Sequence, residues 1–197
     1  FYKHDGSNIR CTWSKKQGWH KFGSRNQMLD EQFPGLGNAI PLFQQTHAEG
    51  LEKVFRTNLN YMHSHIKSIT VYLEYFGPSS FGCYHDFSEP FRLSLIDVNI
   101  DRKGFVLPRQ FVKDFGHLDA AHVVYEGPFN EQLIQDVKDN KLDLKEGIVA
   151  KGCAGNSVHD LWMAKVKTNW WMTELRRRAQ ESIDFKQLLA DNEREQA

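Results

Sequence analysis

Three lysine-bearing segments hold the residue types best suited to covalent chemistry in this chain. Residues 3–8 (KHDGSN) open it, and residues 146–151 (EGIVAK) and 165–167 (KVK) follow far downstream. A lysine amine becomes nucleophilic when neighbouring cations or a metal lower its pKa. Carboxylate oxygens bind divalent cations, and lysines neutralise phosphate. Lys3 is therefore a candidate nucleophile, and the downstream segments are its candidate partners.

The spacing within the downstream segments predicts which side chains share a strand face. Side chains alternate along a strand, so Glu146 is expected on one face and Lys151 on the other. Lys165 and Lys167 are two residues apart and share a face, where burial is costly unless an anion lies between them. A phosphate would be such an anion. Taken alone, Asp5 and the glycine after it are equally typical of a surface turn.

The elements that must position these residues follow from hydrophobic periodicity. Alternating or β-branched runs predict strands at 9–13, 19–22, 69–76, 92–100, 147–151 and 161–166. Helical spacing predicts helices at 46–63 and 130–138 and from 170 onward, with fraying over 191–197. Residues 34–38 and 152–160 are expected to be loops. The pattern predicts one α+β domain.

Composition sets limits on the class of protein. The 197 residues carry 25 basic and 25 acidic side chains, and 40% are hydrophobic, which is typical of a globular domain and not of a polycation. Local basic clusters can still contact phosphate: one contains Lys15 and Lys16, and the other spans 176–178. Either cluster is also compatible with a solvated face. No apolar run is long enough to span a bilayer.

The three cysteines favour an intracellular chain with reduced thiols. Cys11, Cys83 and Cys153 are isolated, and none forms a CxxC pair. The paired histidines His63 and His65 likewise match no zinc-ligand spacing. Ordinary surface or core roles are therefore expected for these side chains.

In order and spacing, the three lysine segments resemble the signature of the covalent nucleotidyltransferases, which include polynucleotide ligases and messenger-RNA capping enzymes. That signature is KxDG, an acidic strand motif, EGxVxK and KxK, and the resemblance covers residues 3–167. It implies an ATP-grasp-like adenylation core of antiparallel sheets flanked by helices over 1–168. Residues 169–197 would then form a short helical tail.

Residues between these segments resemble further family motifs. Arg25 resembles the arginine that contacts the ribose and its phosphate, and Glu74 resembles the glutamate that acts at the ribose or metal. The strand 92–98 resembles the one that covers the purine. It departs from the family by having Ile96 where an aromatic residue is usual, and Phe91 is a possible substitute.

The resemblance implies a role for each matching residue. Lys3 would attack the α-phosphate of ATP, with Lys165 and Lys167 as its catalytic partners at that phosphate. Glu146 and Glu74 would hold Mg²⁺ or Mn²⁺. The remaining expected contacts are Tyr2, Arg25, Glu74, Phe91, Ile96 and Lys151 to the nucleotide, and Asn8, Lys15, Lys16 and Arg176 to nucleic acid.

Asn8 directs the substrate prediction toward RNA. An asparagine two residues after the glycine resembles the nick-sealing RNA ligases, which adenylate a 5′-phosphate end and join it to a 3′-hydroxyl. Arg10 is compatible instead with a DNA ligase or a capping guanylyltransferase. A different class also stays open, a non-catalytic nucleic-acid-binding module that stacks bases on tryptophans.

The resemblance also sets expectations about the ends and the setting of the chain. Only two residues precede Lys3, so the core is expected to lack its usual N-terminal segment. No room remains after Lys167 for an oligonucleotide-binding barrel. A monomer is expected that acts on RNA or RNA/DNA ends, without a membrane, inside the cell or as a viral protein in the host cytoplasm.

Overall fold

The computed structural model describes residues 1–155 and 157–196, and this part of the chain is α+β. It forms two antiparallel sheets and six α-helices. The strands are β1 Tyr2–Lys3, β2 Ser7–Ser14, β3 Gly18–Ser24, β4 Ile69–Phe76, β5 Arg92–Ile100, β6 Gly104–Phe105, β7 Gly147–Cys153 and β8 Leu161–Lys167. The helices are α1 Ala39–Thr46, α2 Ala48–Thr57, α3 Pro108–Phe115, α4 Glu131–Lys138, α5 Asn169–Ala179 and α6 Ile183–Gln196. The prediction of antiparallel sheets flanked by helices is confirmed.

The larger sheet has the strand order β3-β2-β4-β5-β6 and covers the main core with one face. Along β4, buried and half-buried side chains alternate strictly, as the period of a strand requires. Leu73 and Tyr75 face the core, and Glu74 between them faces the other way. Buried aromatic residues of α1, α2 and α3 pack on the core face. The opposite face is therefore left for polar side chains.

The smaller sheet has the order β1-β7-β8 and aligns two of the lysine segments. Lys3 of β1 pairs with Gly147 of β7, and Gly147 pairs in turn with Lys167 of β8. Adjacent strands lie about 4.8 Å apart, so Lys3 and Lys167 stand about 10 Å apart at the backbone. On the far side of this sheet, Ile148 and Val166 pack against α4. The sheet thus turns its lysine-bearing face away from that small core.

The helix predictions were partly wrong. A single helix was predicted over 46–63, but the structure has α2 followed by a 3₁₀ turn at Leu59–Tyr61. The helices α1 and α3 were not predicted. Both missed helices have eight residues and contain a proline near the start, at Pro41 and Pro108. Proline is tolerated there because the first-turn N–H groups have no partner within the helix.

The C-terminal region forms the helices α5 and α6, which pack against the loop between β4 and β5 of the larger sheet. Thr168 caps α5, where its Oγ1 accepts a hydrogen bond from Trp171 N at 3.1 Å. Phe185 and Leu188 of α6 join a cluster with Phe81 and Trp171. The prediction of fraying was wrong for 191–196, which are helical; Ala197 lies outside the described residues. Within the described part of the chain, no helix combines the length and apolarity needed to cross a bilayer.

Candidate functional site

A cleft of about 710 Å³ is lined by residues of both sheets and of the C-terminal helices. Most of the residues singled out in the sequence line it, although they lie far apart along the chain. Those residues are Tyr2, Lys3, Asn8, Arg25, Glu74, Ile96, Glu146, Lys151, Lys165 and Lys167. The structure therefore brings the three lysine segments to one place.

Glu146 is the charge centre of this cleft. Its Oε2 lies 2.7 Å from Lys3 Nζ, and its Oε1 lies 3.0 Å from Lys167 Nζ. The Glu146 side chain is only 3% exposed. Lys167 Nζ also donates a hydrogen bond to Asn192 Oδ1 of α6 and lies 3.7 Å from the centre of the Trp171 ring. One buried carboxylate thus serves two ammonium groups.

The two lysines differ in the direction of their pKa. Burial alone lowers the pKa of Lys3, but the nearby carboxylates of Glu146, Glu74 and Asp5 outweigh burial, so the pKa of Lys3 is raised. Burial lowers the pKa of Lys167, and the charge of Lys3 lowers it further, against the opposing effect of Glu146. Lys3 is therefore the more firmly protonated of the two in the protein alone.

Two further carboxyl groups in the cleft hold protons more tightly than usual. Burial is the main cause that raises the pKa of Glu74 to about 7; Lys3 opposes it, and Glu146 adds to it. Burial and Glu146 also raise the pKa of Asp5 to about 6. Burial, together with the nearby charge of Glu146, thus brings the pKa of Glu74 and Asp5 close to neutral pH.

Asp5 is an anchor that sequence reasoning missed. Its Oδ2 accepts a hydrogen bond of 2.6 Å from Trp171 Nε1, and its Oδ1 accepts one of 2.7 Å from Gly82 N. These bonds tie the segment that carries Lys3 to α5, which also places the Trp171 ring beneath Lys167.

The glycines of the two glycine-bearing motifs are required by close backbone approach. A Cβ on Gly6 would overlap the carbonyl oxygen of Tyr75, and one on Gly147 would overlap the carbonyl oxygen of Val166. Gly147 also has a φ of 154°. The prediction that Glu146 and Lys151 lie on opposite faces of a strand was wrong. Glu146 precedes β7, and the backbone conformation of Gly147 breaks the alternation between them. Glu146 therefore lines the same cleft as Lys151.

Lys151 joins the two sheets at the cleft wall. Its Nζ donates hydrogen bonds to Ile96 O at 2.6 Å and to Asp97 Oδ1 at 2.7 Å. Burial raises the pKa of Asp97, and Lys151 opposes that effect. Lys151 is thus held by β5 beside Ile96, which, together with Val149 of β7, supplies apolar surface to the cleft.

The donor set suits a divalent cation that is shared with a phosphate. Glu146 Oε2 is close enough to Lys3 Nζ for an ion pair, but the two atoms do not have the geometry of a hydrogen bond. This buried oxygen can therefore still donate a lone pair to a cation. Glu74 faces the same cleft and responds to the charge of Glu146. Within the described residues, no group of three or more His, Cys, Asp or Glu side chains could hold a metal alone. Two carboxylates completed by phosphate oxygens and water fit magnesium's preferences.

The structure does not bring four of the predicted contacts to the cleft. Lys15 and Lys16 lie at the far end of β2, where Lys15 Nζ donates to Met62 O. Phe91 does not line the cleft, because its ring stacks on Tyr75 with the ring centres 4.4 Å apart. Arg176 is exposed on α5 near Glu193 and also lies outside the cleft lining.

Of the five tryptophans, Trp162 and Trp170 are exposed enough to stack a base, and the other three are not. Trp13 and Trp171 are each 1% exposed, and half-buried Trp19 donates Nε1 to Ala48 O at 3.2 Å. Trp170 is 53% exposed.

The three cysteines are free thiols, and Cys83 lies at the wall of the cleft.

A hydrogen-bonded histidine at the cleft rim was also missed by sequence reasoning. His85 Nε2 lies 2.8 Å from Ser7 Oγ, and His85 Nδ1 lies 2.8 Å from Ser80 Oγ. Ser7 directly follows Gly6 and lines the cleft. Its partner is 78 residues away, so no local pattern could reveal the contact.

The chain matches no protein-family model, and no curated protein matches it. A proposal about function therefore depends on the residues of the cleft, their geometry and the order of the sequence motifs.

Proposed function

We propose that this chain is an ATP-dependent RNA ligase that works through a lysyl-AMP intermediate on Lys3. The supporting observation is that Lys3, Glu146 and Lys167, from three distant segments, form one buried charge network in a cleft between two antiparallel sheets. Residues 1–168 would form the nucleotidyltransferase core, and 169–197 a helical tail. The likeness of the motif order to the covalent nucleotidyltransferases is the second line of support.

The first step would form a phosphoramide bond. Lys3 Nζ attacks the α-phosphorus of ATP, the bond from that phosphorus to the pyrophosphate oxygen breaks, and the amine proton passes to solvent. Lys167 and Lys165 would neutralise the charge on the α-phosphate, since both line the cleft from β8. Arg25 lines it from the loop after β3 and would contact the ribose and phosphate. Positioning and charge neutralisation account for most of the catalysis of phosphoryl transfer.

Lys3 must first lose the proton that the surrounding carboxylates stabilise. Its raised pKa is unsuited to a nucleophile, so the charge of Glu146 and Glu74 has to be offset before attack. Bound Mg²⁺ or Mn²⁺, held by these two carboxylates and by phosphate oxygens, would supply positive charge for this purpose and for the developing charge on phosphate.

The later steps would move AMP to a 5′-phosphate end and join that end to a 3′-hydroxyl with release of AMP. Asn8 pairs with Glu74 across β2 and β4 and lines the cleft beside Lys3. An amide there could orient the strand ends toward the adenylate. Asn8 supports RNA over DNA, in keeping with its likeness to the nick-sealing RNA ligases.

Covalent labelling tests the proposal directly. Incubation with α-³²P-labelled ATP and Mg²⁺ should label the protein, and Lys3→Ala should abolish the label. Lys113→Ala, an exposed lysine on α3, is the matched control and should label as the parent protein does. The label should be discharged by pyrophosphate and by a nicked RNA duplex that carries a 5′-phosphate.

Other outcomes would assign the chain differently. Label from GTP and not ATP would support a capping guanylyltransferase, and discharge by nicked DNA but not RNA would support a DNA ligase core. Absence of label from either nucleotide, with salt-sensitive RNA binding retained, would support a non-catalytic binding module.

A further inference from the structure

Asn192 of α6 is a buried amide whose orientation is fixed by its two hydrogen-bond partners. The side chain lines the cleft, although the residue is only 5% exposed. Its Nδ2 donates a hydrogen bond of 2.7 Å to Leu188 O, and its Oδ1 accepts one from Lys167 Nζ. A backbone carbonyl only accepts and an ammonium group only donates, so the amide satisfies both partners in one orientation. The amide oxygen therefore faces Lys167.

Three groups surround the ammonium of Lys167 and hold it in place. Glu146 Oε1 lies 3.0 Å from Nζ, Asn192 Oδ1 accepts its hydrogen bond, and the centre of the Trp171 ring lies 3.7 Å away. The lysine side chain is 9% exposed. A lysine ammonium is carried on a flexible four-carbon chain, so contacts at its end determine where the charge lies. These contacts hold Nζ at one place in the cleft wall.

Asn192 differs from Glu146 in what it does to the charge of Lys167. An amide oxygen carries no net charge, so it binds the ammonium without cancelling its positive charge. A second carboxylate at this place would pair with Lys167 in addition to Glu146 and would oppose the binding of an anion. The positive charge of Lys167 therefore stays available to an anionic ligand.

The position of Asn192 depends on how α6 packs against the site. The Phe185 ring of α6 lies 6.0 Å from the ring of Phe81, which stacks on Trp171 with the ring centres 5.1 Å apart. Trp171 Nε1 in turn donates a hydrogen bond of 2.6 Å to Asp5 Oδ2, in the segment that carries the candidate nucleophile. The helix is thus anchored to the same tryptophan that lies beneath the Lys167 ammonium.

We propose that Asn192 is a positioning residue that holds the Lys167 ammonium where it neutralises a phosphate of the ligand. This inference rests on the proposed function, which identifies that phosphate as the α-phosphate of ATP. A charge that is held in place before the ligand binds stabilises the transition state without reorganisation. Loss of Asn192 would leave the charge in the cleft but remove its fixed position.

The rate constant of lysyl-AMP formation and the dissociation constant of ATP report position and charge separately. Both come from single-turnover labelling over a range of ATP concentrations. Asn192→Ala keeps the charge but frees the ammonium, so the rate constant should fall about tenfold while the dissociation constant changes less than about threefold. Asn192→Asp adds a negative charge, so the dissociation constant should rise about tenfold.

The opposite outcomes would overturn the proposal. An unchanged or higher rate constant for Asn192→Ala, or weaker ATP binding as its sole defect, would show that Asn192 does not position Lys167. Asn192→Asp has nearly the same shape as the parent residue, so it keeps the test decisive if Asn192→Ala does not fold. Glu193→Ala is the matched control: it removes an exposed ion pair of α6 with Arg176 at 3.6 Å and should leave both constants unchanged.

NMR of the Lys167 ammonium provides a measurement that a purely structural role would not change. In the parent protein its proton–nitrogen signal should be protected from exchange with water, because its contacts hold it in a buried site. In Asn192→Ala protein with the backbone amide signals of α6 unchanged, exchange should be clearly faster. Equal protection in the two proteins would refute the inference.

Inorganic pyrophosphate distinguishes this inference from the proposed function. In calorimetry with Mg²⁺ and no nucleotide, pyrophosphate should bind about tenfold more weakly to Asn192→Asp than to the parent protein. Parent protein that takes no label from ATP but gives these pyrophosphate and NMR results would refute the ligase and leave the positioned anion contact standing. Parent protein that is labelled, with an Asn192→Ala variant that labels at the same rate, would refute this inference and leave the ligase standing.

Discussion

Lys3 and Glu146 form a buried ion pair, with Nζ and Oε2 2.7 Å apart and side-chain exposures of 18% and 3%. They are brought together by the pairing of β1 with β7, in which Lys3 lies opposite Gly147. The other carboxylate oxygen of Glu146, Oε1, contacts Lys167, which lies opposite Gly147 on the neighbouring strand β8. The candidate nucleophile and the candidate phosphate contact are thus coupled through one carboxylate before any ligand binds.

Replacing Glu146 should affect both stability and labelling. Glu146→Gln leaves two ammonium groups in the cleft without their shared counter-charge, and loss of one partner of a buried pair typically costs about 3–5 kcal/mol. We expect a loss of about 3 kcal/mol in the free energy of unfolding, measured by urea denaturation. On the proposed function, lysyl-AMP formation should fall at least about a hundredfold, since the proposed metal ligand is lost as well.

The matched control for that change is a carboxylate with the same contact distance and a much greater side-chain exposure, 31% against 3%. Glu52 Oε1 lies 2.7 Å from Arg56 Nε on α2. Glu52→Gln should change the free energy of unfolding by about 0.5 kcal/mol or less, because exposed pairs are screened by water. Equal losses for the two variants would contradict the central role of Glu146.

Trp171 should stabilise the nucleophile segment through its indole N–H. Trp171→Phe keeps an aromatic ring near Lys167 but removes the donor to Asp5 Oδ2, which leaves that buried oxygen unpaired. We expect a loss of about 1–3 kcal/mol in urea denaturation. The pKa of Asp5, already about 6, should rise further because a hydrogen bond that favours its charged form is gone.

The neighbouring tryptophan provides the control for this prediction. Trp170 is 53% exposed, so Trp170→Phe should leave the free energy of unfolding within about 0.5 kcal/mol of the parent value. A similar loss in both variants would show that the Asp5 contact does not stabilise the fold.

Gly147 should tolerate no side chain. Gly147→Ala would force the new Cβ into the carbonyl oxygen of Val166, which separates β7 from β8 and displaces Glu146. Gly18→Ala is the comparison, because Gly18 has a φ of 64° but open space around its Cβ position. We expect Gly18→Ala to cost about 1–2 kcal/mol from backbone strain alone and Gly147→Ala to cost clearly more, measured by thermal and urea unfolding. Equal costs would contradict the close-approach explanation.

The longer strands were accessible from the sequence because strands carry a period-two signal, whereas the meeting of the lysine segments was expected only from the family resemblance. The alternation in β4 and the glycine at 147 both follow local rules, and so did the strand predictions around them. The short helices α1 and α3 were missed because eight residues with an early proline give too few periodic positions. Local pattern was thus sufficient for the six longer strands and for α4, and insufficient for the two-residue strands β1 and β6 and for α1 and α3.

The supporting contacts of the site could not be predicted because they are tertiary. Asp5 meets Trp171 across 166 residues, and Lys167 meets Asn192 of α6 across 25. Residues around Asn192 are polar and resemble a frayed end, yet Asn192 is 5% exposed. Its burial depends on the packing of Phe185 and Leu188 on the rest of the cluster, which no sequence window contains.

Glu74 should make the free protein less stable as pH rises from about 4.5 to 7. Its pKa of about 7 in the folded state exceeds the ordinary value of 4.5, so the native state binds more protons between those values. The contribution of Glu74 to the free energy of unfolding therefore decreases from pH 4.5 to 7, by roughly 2 kcal/mol for this half-buried group. Glu74→Gln should therefore remove this contribution, so that between pH 4.5 and 7 the variant loses about 2 kcal/mol less than the parent in urea denaturation. Exposed Glu31→Gln should follow the parent profile, and a Glu74→Gln profile parallel to the parent would rule out Glu74 as the titrating group.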